Sequence, residues 1–142
     1  MHDEKVRSYE QWMEGVAAEI RQGPVWKFYG YRKALFLYDL VWADCKYWQK
    51  ERRGQAIVRQ IIRSAGSISA NIEEGNGRGR GHDHARFLTF ALGSARETQG
   101  WYWRGRKMLP RTVFKHRVAF LDEIIALLIT EIKRQRRMAN GE

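Results

Sequence analysis

A chain of 142 residues is long enough for one domain with a core of its own, and 44% hydrophobic with 30% charged residues excludes a disordered polymer. Its single cysteine, Cys45, excludes an intramolecular disulfide framework and fits a reducing compartment. The net charge is +10, and residues 1–22 hold five acids and three bases, so the other residues together carry +12. A field of that sign favours polyanions, whose condensed counterions are released on binding. Solubility alone is the plainer reason for such a charge.

The opening residues MHDEKVRSYEQW lack the basic and apolar regions of a signal peptide. The most apolar run, Val118 to Ile132, is broken by Asp122, Glu123 and Glu131, so no membrane span is expected. The expectation is a cytoplasmic protein with no membrane partner.

In chain order, an amphipathic stretch from Asp3 to Gln22 ends at Gly23-Pro24. A long helix is predicted over 31–52. Its run of Leu35, Phe36, Leu37, Tyr38, Leu40, Val41 and Trp42 is apolar on more than one face, which calls for self-association or for cover by the N-terminal segment. A second helix, 55–74, places Val58, Ile61, Ala65, Ile68 and Ile72 at alternating steps of three and four, with Gly75 as its stop. The third, 83–106, repeats the seam with Leu88, Ala91, Ala95, Thr98 and Tyr102. The fourth, 112–138, carries Phe114, Val118, Leu121, Ile125, Leu128 and Ile132, beside an adjoining row of Phe120, Ile124 and Leu127. Short connections make neighbours antiparallel. The fold class expected is therefore all-α: an antiparallel up-down four-helix bundle over 25–138, with a helical extension at 1–24 and a disordered tail at 139–142.

Two runs carry a family signature. Gln60 to Gly75 reads QIIRSAGSISANIEEG, and Arg86 to Gln99 reads RFLTFALGSARETQ. In this order they resemble the four-helix-bundle family of 23S rRNA intervening-sequence proteins, also called S23 proteins. The positions that match are Gln60, Arg63, Ser67, Ile68, Asn71, Ile72, Glu74 and Gly75, then Arg86, Phe87, Leu88, Ala91, Leu92, Gly93, Ser94 and Glu97. The resemblance covers roughly residues 31–132. It implies a homo-oligomer, with a pentameric ring favoured. It also brings in the accessory variability determinant proteins of diversity-generating retroelements, basic pentamers that bind nucleic acid and a reverse transcriptase.

Three basic clusters are the candidate nucleic-acid-binding residues. The loop Gly75-Asn-Gly-Arg-Gly-Arg-Gly81 offers Arg78 and Arg80 on a glycine-rich backbone that fits no nucleotide-binding fingerprint but lets arginines approach phosphates. Arg104, Arg106, Lys107 and Arg111 follow Trp101, Tyr102 and Trp103, a mixture suited to stacking unpaired bases. Lys133, Arg134, Arg136 and Arg137 form the third cluster, at a helix C-terminus where bases also complement the macrodipole. Solvated surface is the competing reading of each cluster, with binding favoured for the arginines of the second.

His82-Asp83-His84 lacks the further ligands of a metal site, and Asp83 suits the start of a helix. Ser64, Ser67, Ser69 and Cys45 have no histidine at a recognisable spacing, and Glu73-Glu74 are candidates to pair with Arg63 or another subunit. No catalytic residue, metal or cofactor is expected. The function expected is a basic, oligomeric accessory protein for RNA or DNA, with a reverse transcriptase as a candidate partner. The competing reading is a non-catalytic protein-interaction scaffold.

Overall fold

The structure, a computed structural model, describes residues 8–142. Residues 3–7 of the expected N-terminal stretch lie outside the described residues. Those described form two short helices, α1 (Tyr9–Glu14) and α2 (Ala18–Arg21), then four long ones: α3 (Tyr29–Trp48), α4 (Arg52–Gly77), α5 (His82–Arg104) and α6 (Arg111–Ala139). Single-turn 3-10 segments at Pro24–Lys27 and Arg106–Met108 link α2 to α3 and α5 to α6. Among the described residues there is no strand. No helix there is long and apolar enough to cross a membrane.

The long helices pack in a cycle: α3 on α4, α4 on α5, α5 on α6, and α6 back on α3. Connections of a few residues force neighbours to run antiparallel. Tyr31 at the start of α3 accordingly reaches Glu73 near the end of α4, and Trp48 at the end of α3 donates to the carbonyl of Gly105, 3.0 Å away, just past α5.

The seams of α4 and α5 are where their spacing puts them. Ile61, Ala65, Ile68 and Ile72 face Leu88, Ala91, Ala95, Thr98 and Tyr102 in one buried core, with Val58 half-buried at its edge. On α6 the buried meridian lies to one side of the expected seam. It is Arg117, Phe120, Leu121, Ile124, Leu128 and Ile132 that are buried, while Phe114, Val118 and Ile125 are half-buried. Two adjoining rows on a helix share one wide apolar stripe, and packing selects its centre.

The surplus face on α3 is closed by the chain's own N-terminus. Ser8 caps α1 in a reciprocal box with Gln11. Tyr9 and Trp12 then lie on Phe36, at ring-centroid distances of 5.6 and 5.4 Å, and Phe36 meets Phe120 edge-on at 5.5 Å. Trp12 Nε1 donates to Asp39 Oδ2 at 2.7 Å, which pins α1 to α3. Gly15 closes α1, so the amphipathic stretch is broken and not one helix.

Gly75 does not stop α4, which continues to Gly77. It is buried where α4 crosses α5: a Cβ there would stand 3.1 Å from the Cβ of Phe87 and 3.2 Å from the His84 carbonyl oxygen. Gly54 answers a similar need, because a side chain there would overlap the backbone carbonyl of Trp48 at the α3–α4 turn. At the other terminus Ala139 is the last residue of α6, and the N–H groups of Asn140 and Glu142 donate to the Arg136 and Arg137 carbonyls.

A polar knot crosses this core. Arg117 of α6 donates from Nε and Nη2 to the two carboxylate oxygens of Asp44 on α3, at 2.8 and 3.0 Å. Tyr102 of α5 donates to the same carboxylate at 2.7 Å. Asp44 and Arg117 are only 2% and 3% exposed. Fork-to-fork geometry and a third donor satisfy the pair, and among the described residues no buried side-chain polar atom is left without a partner.

Candidate nucleic-acid interface

The up-down path distributes the three basic clusters between two ends of the molecule. Arg78 and Arg80 lie in the connection from α4 to α5, and Lys133, Arg134, Arg136 and Arg137 lie on the last turns of α6. These clusters are more than fifty residues apart in sequence, yet they share one end. The Gly81 N–H donates to Gln135 Oε1 at 2.9 Å, fastening the loop to α6. Arg104, Arg106, Lys107 and Arg111 occupy the far end, about 35 Å away along the 23 residues of α5. All ten side chains are exposed.

At the loop end, Arg78 pairs with Glu74 at 3.0 Å and lies over the Phe87 ring, while Arg134 pairs with Glu131. Arg80, Lys133, Arg136 and Arg137 have no acidic partner among the described residues. These four are solvated charges available to an anion.

At the far end, the Arg106 guanidinium lies 3.7 Å from the Trp103 ring centroid, and Arg104 lies 4.7 Å from that of Trp101. Tyr102 between them points into the core, and Trp103 is exposed. The aromatic run thus divides: one ring closes the bundle end and another carries an arginine at the surface. The sequence reading missed Lys50, Arg52 and Arg53, which the α3–α4 turn brings to this same end. The signal lay in helix polarity, since residues leaving α3 must emerge beside residues leaving α5.

Other groups singled out by sequence are engaged in holding the fold. Glu73 accepts from the Tyr31 hydroxyl at 2.6 Å and Glu74 from Arg78, so neither pairs with Arg63. Burial, followed by the hydrogen bond to Glu73, pushes the Tyr31 phenol well up. Asn71 donates to the Ser67 carbonyl at 2.8 Å. Asp83 pairs with Arg86 in the first turn of α5, and His84 Nδ1 lies 2.9 Å from the Gly79 carbonyl. Ser64 shares a buried hydrogen bond with Thr98, while Ser67 and Ser69 hydroxyls donate to carbonyls of their own helix. Burial, helped by the Asp44 charge, pushes the Cys45 thiol up to about 11.

The signature positions meet across α4 and α5. Arg63 bonds both Gln60 and Glu97, and Glu97 also accepts from Trp101 Nε1 at 2.9 Å. The family model of the 23S rRNA-intervening sequence protein matches residues 27–130. The chain belongs to that family. A protein of unknown function from the S23 ribosomal protein family of Bacteroides thetaiotaomicron has a similar crystal structure, at 28% identity and a TM-score of 0.67. The match covers 73% of this chain and 98% of that one. No curated protein matches the chain. The intervening-sequence protein match runs from the 3-10 turn into α6 and stops short of Lys133–Arg137, as it leaves out α1 and α2. The matched region therefore holds the loop and far-end clusters, and the α6 cluster lies beyond it.

Proposed function

We propose that the protein is a non-catalytic accessory factor that binds RNA or DNA and works as a self-associated ring of four-helix bundles. The observation that carries the binding is the convergence of Arg78 and Arg80 with Lys133, Arg134, Arg136 and Arg137 at one end. Four of these six lack an acidic partner among the described residues. Such a patch releases phosphate counterions on binding, and arginine suits phosphate oxygens geometrically. The non-catalytic reading is supported by hydroxyls committed to backbone or to Thr98, and by a thiol held protonated.

Self-association is supported by Trp42, which is 67% exposed on the outer face of α3, its ring tilted against that of the half-buried Tyr38 at 6.4 Å. Phe36, Phe120 and Ile124 do not contribute to it, being buried within the chain. The resemblance to accessory variability determinant proteins makes a reverse transcriptase the protein partner of this reading. The same exposed Trp42 is what favours the second reading, a protein-interaction scaffold.

Fluorescence anisotropy over a salt series is the test. A labelled 20-mer should bind tightly at low salt, with log affinity falling linearly against log salt. The triple variant Arg80→Gln, Arg136→Gln, Arg137→Gln should lower that slope by about 2 to 3 at unchanged circular dichroism. A flat salt dependence, or a triple variant that binds as the parent does, rejects this interface and leaves the scaffold reading ahead.

A further inference from the structure

A cleft of about 700 Å³ opens at the loop end, between the 3-10 turn before α3 and the last turns of α4 and α6. Its volume lies within the roughly 300–1,000 Å³ of small-ligand sites. The floor is apolar, from Ile72 and Leu127, and the rim carries Lys27, Arg80 and Arg134. Its one carboxylate, Glu131, already accepts from Arg134 through both oxygens at 3.1 Å and from Gln135 at 2.9 Å. Lys27 and Arg80 have no acidic partner among the described residues. Tyr29, 60% exposed, forms one wall, with the Arg32 guanidinium 4.8 Å from its ring centroid. Asn76, whose amide makes no hydrogen bond among the described residues, lines the cleft as well.

An apolar floor, an aromatic wall, a free amide and a cationic rim suit a planar heterocycle joined to a phosphate. We infer that this cleft holds one unpaired nucleotide, its base against Tyr29 and the apolar floor and its phosphate at Lys27 and Arg80. This deepens the nucleic-acid reading and rests on it. The phosphates of a duplex would reach the rim, but its stacked bases would not enter. The cleft therefore distinguishes single-stranded from double-stranded nucleic acid at the end where the basic clusters converge.

The test compares single-stranded and duplex 12-mers by anisotropy, with adenosine monophosphate as a competitor. Two variants alter the cleft without removing a charge: Thr130→Trp fills it from the exposed face of α6, and Tyr29→Ala removes its wall. Circular dichroism and thermal melting check that each is folded. The parent should prefer the single strand about tenfold, as stacking of one base allows. Each variant should lose that preference with duplex affinity unchanged. A folded Thr130→Trp that loses both the single-strand preference and competition by the monophosphate supports the cleft as the nucleotide's place. Folded variants that keep the parent's preference, or that lose duplex and single strand equally, overturn the cleft while general binding stands. A parent that binds neither strand overturns the nucleic-acid reading itself.

Discussion

Asp44 shows how much rests on one carboxylate. Its partner Arg117 is buried with it, so Asp44→Ala strands a guanidinium in the core, a loss of about 3–5 kcal/mol by urea denaturation. Replacing all three, as Asp44→Leu with Arg117→Met and Tyr102→Phe, should recover most of that loss, because a buried polar group contributes little over apolar residues of like volume once no hydroxyl is left unpaired. His116 extends the knot. Its Nδ1 lies 2.7 Å from Arg117 Nη1 and accepts from it only when that nitrogen is unprotonated. Burial first, then the Arg117 charge, lowers the imidazole's pKa from 6.5. The unfolded chain therefore binds a proton that the folded one refuses, and this contribution to stability falls as pH drops below about 6.5. His116→Gln should flatten the profile below about pH 6.5 in parallel denaturation series. An unchanged slope would mean that His116 does not couple to folding.

Helices were the legible level. The break at Gly23-Pro24, with the three–four spacing after it, locates all four long helices to within a few residues. What sequence could not supply is what depends on a neighbour. Gly75 reads as a stop because a glycine at a helix end has that meaning locally; its reason here is Phe87 and His84 on another helix. The Asp44–Arg117 pair spans 73 residues, and no periodicity on either helix announces it. The ten candidate basic residues were legible one by one, whereas their sorting into two ends needed the turns. Two predictions belong at this scale. Gly54→Ala should destabilise by about 3 kcal/mol in urea, since the clash is with the Trp48 backbone and exceeds the ~1 kcal/mol of helix propensity that alanine adds. Trp12→Ala uncovers Phe36 and breaks the tie to Asp39, and about 2–3 kcal/mol should be lost.

At the scale of the whole molecule, the proposed assembly makes a prediction that the fold alone does not. Trp42→Glu puts a charge on an exposed aromatic and should leave the fold intact while shifting light scattering at micromolar concentration from oligomer to monomer. A variant of unchanged mass places the contact elsewhere. The two-ended distribution of cations sets a length as well. About 35 Å separates the ends, which is close to one turn of a B-form duplex, about 34–36 Å. A duplex lying along α5 would present the same backbone face to both ends at once. On the proposed nucleic-acid reading the molecule would act as a gauge: fragments much shorter than about ten base pairs would engage one end only, and affinity should step up, not climb smoothly, as fragment length passes a full turn.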